Sequence, residues 1–95
     1  MKGEPSNIPY RFTLFVVGNE PNSALARDNL DNICAEYLRK GTCTVTVVDI
    51  LEDFQAALDH SVLVTPTLIV EGPRGRSVII GNLSDVDRIL LVLGC

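Results

Sequence analysis

The chain has 95 residues, 46% of them apolar, and a formal net charge of −4. That length predicts one domain around one core, and the acidic balance excludes a nucleic-acid binder, which needs clustered Lys and Arg to meet phosphate. No apolar run reaches the roughly 18 residues of a membrane-spanning helix, so a soluble, cytoplasmic protein is expected.

Residues 1–9 include Lys2, Glu4, Pro5, Asn7 and Pro9 and lack the apolar stretch and cleavage site of a signal peptide. They read as a flexible tail ahead of a domain over residues 10–95. Arg11 to Val17 (RFTLFVV) is β-branched and aromatic with little polar alternation, which predicts a strand covered on both faces. It runs into Gly18-Asn19-Glu20-Pro21-Asn22, turn chemistry throughout, after which Asn22 or Ser23 is placed to cap a helix. Ala26, Leu30, Ile33, Cys34, Tyr37 and Leu38 form one apolar stripe at helical period. Arg39 and Lys40 suit the negative end of the helix dipole and Gly41 suits the position after the cap.

Thr42 to Val48 (TCTVTVV) alternates as a strand, so strand, helix and strand make a right-handed βαβ unit with parallel pairing. A short helix follows, with Phe54, Ala57 and Leu58 on one side. Val62 to Val70 (VLVTPTLIV) reads as a third strand interrupted by Pro66, which marks an edge, a bulge or a cis bond. Glu71-Gly72-Pro73-Arg74-Gly75 turns the chain into Ser77–Ile80 as a hairpin. Ser84 is placed to cap a closing helix carrying Val86, Ile89, Leu90 and Leu93, with Asp85 and Asp87 in its first turn. This order, βαβ-α-ββ-α, is the thioredoxin-like arrangement: a mixed four-stranded sheet with helices on both faces. The run Ile89 to Leu93 suits a strand as well as a helix, and the Pro-interrupted run 62–70 is ambiguous too. Local and global signals therefore conflict in the second half of the chain and agree in the first.

In thioredoxin-like oxidoreductases the nucleophilic cysteine sits where the first strand turns into its helix. Here that turn holds no cysteine, and Ser23 has no histidine near it in sequence. Cys34, Cys43 and Cys95 form no C-x-x-C or metal pattern, with His60 the single histidine. Cys34 and Cys43 read as buried small hydrophobes, and Cys95 is open to intermolecular disulfides. Glu20 suits the helix dipole better than it suits general-base chemistry. Thr65-Pro66 matches the cis-proline that in this fold lies beside the active site. No Lys or Arg lies between Lys40 and Arg74, whereas Asp49, Glu52, Asp53, Asp59 and Glu71 all do. A partner on this surface is expected to present basic groups, unless the acidic face serves solubility alone. No metal and no cofactor is expected.

Four segments carry a resemblance that spans about residues 11 to 93: Leu14 to Ser23 (LFVVGNEPNS), Val47 to Leu51 (VVDIL), Val64 to Leu68 (VTPTL) and Ile79 to Asp85 (IIGNLSD). In this order and spacing the sequence resembles the KaiB family of circadian-clock proteins. The resemblance implies a non-catalytic regulator. KaiB proteins bind the ring-shaped ATPase KaiC, and in cyanobacteria then capture KaiA and a thioredoxin-like clock histidine kinase domain. They also switch fold: a tetrameric ground state with a rearranged second half converts to the monomeric thioredoxin-like form that binds KaiC. A partner surface is accordingly expected at Glu20, Asn22, Asp59, His60, Ser61 and Pro66, and a fold-switch region at Val92, Leu93 and Gly94. A homo-oligomer, dimer or tetramer, fits the same resemblance.

The chain also departs from the family. Leu25 stands where a basic residue is usual early in the first helix, and Ser61 stands where a lysine is usual. Val92-Leu93-Gly94 replaces a Gly-Leu-Asp, and β-branched Val92 restricts backbone freedom where glycine permits it. The two-state balance is therefore expected to be shifted, with one fold favoured. Two other readings remain open: a KaiC-independent thioredoxin-like interaction module in stress response or signalling, and a thiol- or glutathione-dependent oxidoreductase.

Overall fold

A computed structural model describes residues 10–38, 43–73 and 75–93. The expected tail over residues 1–9, the helix-ending Arg39, Lys40 and Gly41, and the residues Thr42, Arg74, Gly94 and Cys95 lie outside the described residues. The elements run β1 (Tyr10–Val16), α1 (Pro21–Tyr37), β2 (Cys43–Asp49), α2 (Phe54–Asp59), β3 (Thr67–Gly72), β4 (Gly75–Ile80) and α3 (Val86–Leu93). The sheet order is β2-β1-β3-β4, with β1 parallel to β2 and antiparallel to β3, and β3 antiparallel to β4. This is the expected thioredoxin-like βαβ-α-ββ-α architecture.

β1 is an inner strand, and Phe12, Leu14, Phe15 and Val16 are fully buried on it. Their alternation divides the core in two. Phe12, Leu14 and Val16 face α1 and α3 together with Leu68, Val70 and Ile79 of β3 and β4. Phe15 faces the other way, against Ala57 of α2 and Ile69 of β3. α1 buries Ala26, Leu30 and Ile33 as its stripe predicts, while Cys34 is half-buried and Tyr37 remains exposed.

The helix starts differ from expectation. Glu20, not Asn22 or Ser23, caps α1: its carboxylate accepts from the Asn22 and Ser23 backbone N–H groups at 3.1 and 3.0 Å. Pro21 at the first helical position fixes the entry, since its missing N–H costs nothing there. Ser23 is fully buried, and its hydroxyl oxygen accepts from the Val17 N–H at 3.2 Å. At α3 the Asp85 carboxylate, not the Ser84 hydroxyl, accepts from the Arg88 N–H at 3.3 Å. Ser84 instead donates its backbone N–H to the Asn82 side chain.

The third strand also starts later than the apolar run 62–70 suggests. The Thr65–Pro66 bond is cis, and residues 62–66 form a connection rather than a ladder. Proline offers no donor, so the Pro66 carbonyl is used instead and accepts from the Gly81 N–H at 3.0 Å. Thr67 closes the bend with its hydroxyl on the Val64 carbonyl at 2.6 Å. The run Ile89 to Leu93 is helical, with Ile89 and Leu93 buried and Leu91 exposed. At the opposite end of the sheet the Tyr10 hydroxyl donates to the Leu93 carbonyl at 2.7 Å. A Cβ at Gly72 would lie 2.6 Å from the Tyr10 ring, so this glycine lets tyrosine lie across the start of the hairpin.

Candidate functional site

The registers lay out the second face of the sheet in three rows. Val48, Phe15, Thr67 and Ile80 stand side by side, then Thr46, Thr13, Ile69 and Val78, then Thr44, Arg11, Glu71 and Arg76. Among the described residues only α2 covers this face, and it has six residues. It packs Ala57 onto Phe15 and Ile69, with Val48, Ile50, Ala56 and Val62 at the margin. The β4 end is left open, so Val78 and Ile80 are 45% and 59% exposed although each lies beside a buried β3 residue.

α2 exposes more than its pattern suggests. Phe54, Ala57 and Leu58 share one side of the helical pattern, but only Ala57 is buried; Phe54 and Leu58 are more than half exposed. A six-residue helix makes fewer than two turns and presents one position squarely to the sheet. Asp53 caps it by accepting from the Ala56 N–H at 3.1 Å. Its C-terminus closes with Ser61 N–H on the Leu58 carbonyl and Val62 N–H on the Ala57 carbonyl, a Schellman motif. Ser61 occupies the left-handed position of that motif at φ 57°, where glycine is the usual residue.

Between this helix end and the open strand lies a groove of about 530 Å³. Ile69, Val78 and Ile80 line it from the sheet, and Asp59 to Val64 from the connection, with Arg76 at the charged row. Leu63 is 92% exposed and Val64 about half exposed. Contiguous exposed apolar surface of this kind marks interaction sites more often than solvated surface does. Among the described residues lining the groove, Asp59 is the acidic and Arg76 the basic side chain.

The expected partner residues fall in two places. Asp59, His60 and Ser61 line the groove. Asp59 accepts from Gln55 at 2.9 Å. The His60 ring stacks tilted on Phe15 with centroids 5.4 Å apart, and its Nδ1 lies 2.9 Å from the Ala56 carbonyl, so Nδ1 carries the proton. Glu20, Asn22 and Pro66 are not among the groove's lining residues; Glu20 and Asn22 stand at the start of α1, and Pro66 immediately precedes β3. Glu20 is occupied as the cap. Asn22 meets the Asn82 amide at 3.5 Å, and Pro66 is buried and joined to the same loop through Gly81. Asp49 fixes this end of the sheet, its Oδ1 accepting from the Gly18 and Leu51 N–H groups at 3.1 and 3.0 Å. Leu25 is exposed on α1. In the expected switch region Leu93 is buried and Val92 half-buried, while Gly94 lies outside the described residues.

Sequence reasoning missed Leu63, Val64, Val78 and Ile80. The signal was the unbroken Val78-Ile79-Ile80, which reads as a strand apolar on both faces, but nothing in the chain revealed that only one face would be covered. Among the described residues, no group of three or more metal-ligating side chains comes together, and no helix is long and apolar enough to cross a membrane.

Comparison with known proteins bears on the whole domain. The KaiB domain profile matches residues 13–95. The circadian clock oscillator protein KaiB of Microcystis aeruginosa is 39% identical over 84 residues, covering 88% of this chain and 80% of that protein. Its counterpart in Thermosynechococcus vestitus is 37% identical over 89 residues, covering 94% and 82%. Among solved structures, the N-terminal domain of Synechococcus elongatus SasA superposes with a TM-score of 0.74 at 26% identity, over 90% of this chain and 80% of that one. Chloroplastic thioredoxin z superposes at 0.76 with 15% identity, covering 94% of this chain and 79% of that one, a likeness of fold alone.

Proposed function

The chain belongs to the KaiB family, and from that premise we propose that it is a non-catalytic clock regulator that binds a KaiC-type ATPase through the half-open face of its sheet. The observation that carries the reading is the groove between α2 and β4, apolar at its floor and flanked by exposed Leu63, Val64, Val78 and Ile80. The turn at Gly18–Ser23 supports the same reading. The Glu20 carboxylate there is engaged as a helix cap and the Ser23 hydroxyl as a buried acceptor, so these two side chains hold the fold. KaiA and a clock histidine kinase are the further partners that family membership suggests.

A fold switch fits the distribution of backbone strain. Among the described residues, the non-glycine residues with positive φ, Ser61 and Leu83, both lie in the second half of the chain, where left-handed geometry costs an L-residue roughly 1–2 kcal/mol. Two packings of that half within a few kcal/mol are what a switch requires. Val92 in place of a hinge glycine shifts the balance towards one of them.

The test is size-exclusion chromatography with light scattering, on the protein alone and then mixed with its host's KaiC-type ATPase and nucleotide. A complex that forms over hours supports a switching KaiB, and one that forms at once supports a chain already held in the binding fold. No complex from wild-type protein overturns KaiC binding and leaves the alternative of a KaiC-independent interaction module. Ile80→Ser should weaken the complex while leaving the fold intact. Unchanged binding by that variant would move the contact off the groove.

A further inference from the structure

β4 ends the sheet order and, among the described residues, is paired on one side only, with β3. An edge strand presents a row of unpaired backbone N–H and C=O groups to whatever lies beside it. Such edges are commonly blunted by proline, lysine or a bulge. Gly75–Ile80 (GRSVII) contains neither proline nor lysine, and its register with β3 is unbroken along the strand. The three rows of the open face stop on it, at Ile80, Val78 and Arg76. In the last row Glu71 stands between Arg11 and Arg76, so two guanidinium groups share one carboxylate and the β4 end is positive. We propose that the partner docks here by strand addition: an extended segment, antiparallel to β4, whose alternate residues are apolar, apolar and acidic from its N-terminus. This rests on the groove being the partner surface and names the chemistry of the segment it takes; it does not need that partner to be a KaiC-type ATPase.

The register assigns each position. Only an extended chain can pair the free backbone groups of β4, and main-chain hydrogen bonds supply the affinity of such additions while alternate side chains supply the specificity. Antiparallel pairing continues the pattern of β3 with β4 and is the more stable per residue. An added antiparallel strand meets Ile80 first, then Val78, then Arg76, and its residues opposite these share the groove side because side chains alternate. Opposite Ile80 and Val78, which are 59% and 45% exposed, β-branched apolar residues make favourable cross-strand pairs. They also bring apolar cover to Leu63 and Val64 on the other wall of the groove. Opposite Arg76 an aspartate or glutamate meets the unshared positive charge.

The experiment titrates the isotope-labelled full chain with the peptide acetyl-Thr-Val-Thr-Val-Thr-Asp-Thr-amide and follows backbone amides by NMR. Shifts are expected along β4 and at residues 61–64. N-methylating the two valines, or instead the two threonines that follow them, should give opposite results, since only one set of N–H groups faces β4: one peptide loses binding and the other keeps it. Equal effects of both methylations mean a merely apolar contact and overturn strand addition, as do shifts confined to β2 or no response at millimolar peptide. Arg76→Glu should weaken the aspartate peptide several-fold and favour its lysine counterpart; indifference to this exchange overturns the acidic position. A free chain that dimerises through β4 and excludes the peptide gives the edge to a second copy and overturns this partner. A complex with the ATPase, weakened by Ile80→Ser but without a peptide response, overturns strand addition alone, whereas a peptide response without that complex supports it and overturns only the ATPase.

Discussion

The two faces of the sheet use the same strands to opposite ends. On one, α1 and α3 close over Phe12, Leu14, Leu68, Val70 and Ile79, and the core cluster draws its buried residues from every element except β2 and α2, with Cys43 of β2 packed at its margin. On the other, six helical residues cover Phe15 and Ile69 and leave the β4 side bare. Stability is concentrated where the apolar residues are enclosed, because burial stabilises in proportion to area removed from water. The open face contributes little to that and keeps apolar surface available to a partner. What differs between the faces is the cover, for β4 carries apolar residues towards both.

That comparison breaks most sharply at Leu14, which is fully buried on the closed face. Leu14→Ala should cost roughly 2–5 kcal/mol, read as a shift in urea midpoint. Gly72→Ala comes next. Its Cβ would meet the Tyr10 ring at 2.6 Å, so an overpacking cost of roughly 1–3 kcal/mol is expected. Loss of the Tyr10–Leu93 hydrogen bond should appear as faster amide exchange in α3. Ser61→Gly sharpens the contrast from the open side. Relief of left-handed strain outweighs the added freedom of the unfolded chain, so a gain of about 0.5–1 kcal/mol is expected in thermal unfolding. The smallest effect belongs to Ile80→Ser, which should stay within about 0.5 kcal/mol of wild type while weakening partner binding. A loss comparable to that of Leu14→Ala would mean the open face is closed in solution by another chain.

The fold was legible wherever a local pattern decides the outcome. Leu14 to Val16 announced an inner strand because consecutive apolar residues must be covered on both sides, and Ala26, Leu30 and Ile33 announced the buried stripe of α1. Reading failed where a residue had two uses for one group. Glu20 displaced Asn22 as the cap because Pro21 moves the helix start two residues earlier, and Pro66 delayed β3 because its carbonyl is bonded to a residue far along the chain. The groove was legible only in part. Asp59, His60 and Ser61 were singled out, but Val78 and Ile80 join them through the pairing of β4 with β3, a register that no local pattern specifies.

The hydroxyl of Tyr10, bonded to Leu93, has an optical consequence. The chain holds two tyrosines and no tryptophan, so its near-ultraviolet absorption comes chiefly from two phenols in unlike settings. Tyr37 is exposed on α1 and serves as a solvated reference, whereas Tyr10 is packed beside Phe12 with ring centroids 6.2 Å apart. Departure of the last helix from the sheet would release the Tyr10 phenol to water and shift its absorption alone. The protein thus carries an unlabelled reporter on the docking of its own C-terminal helix.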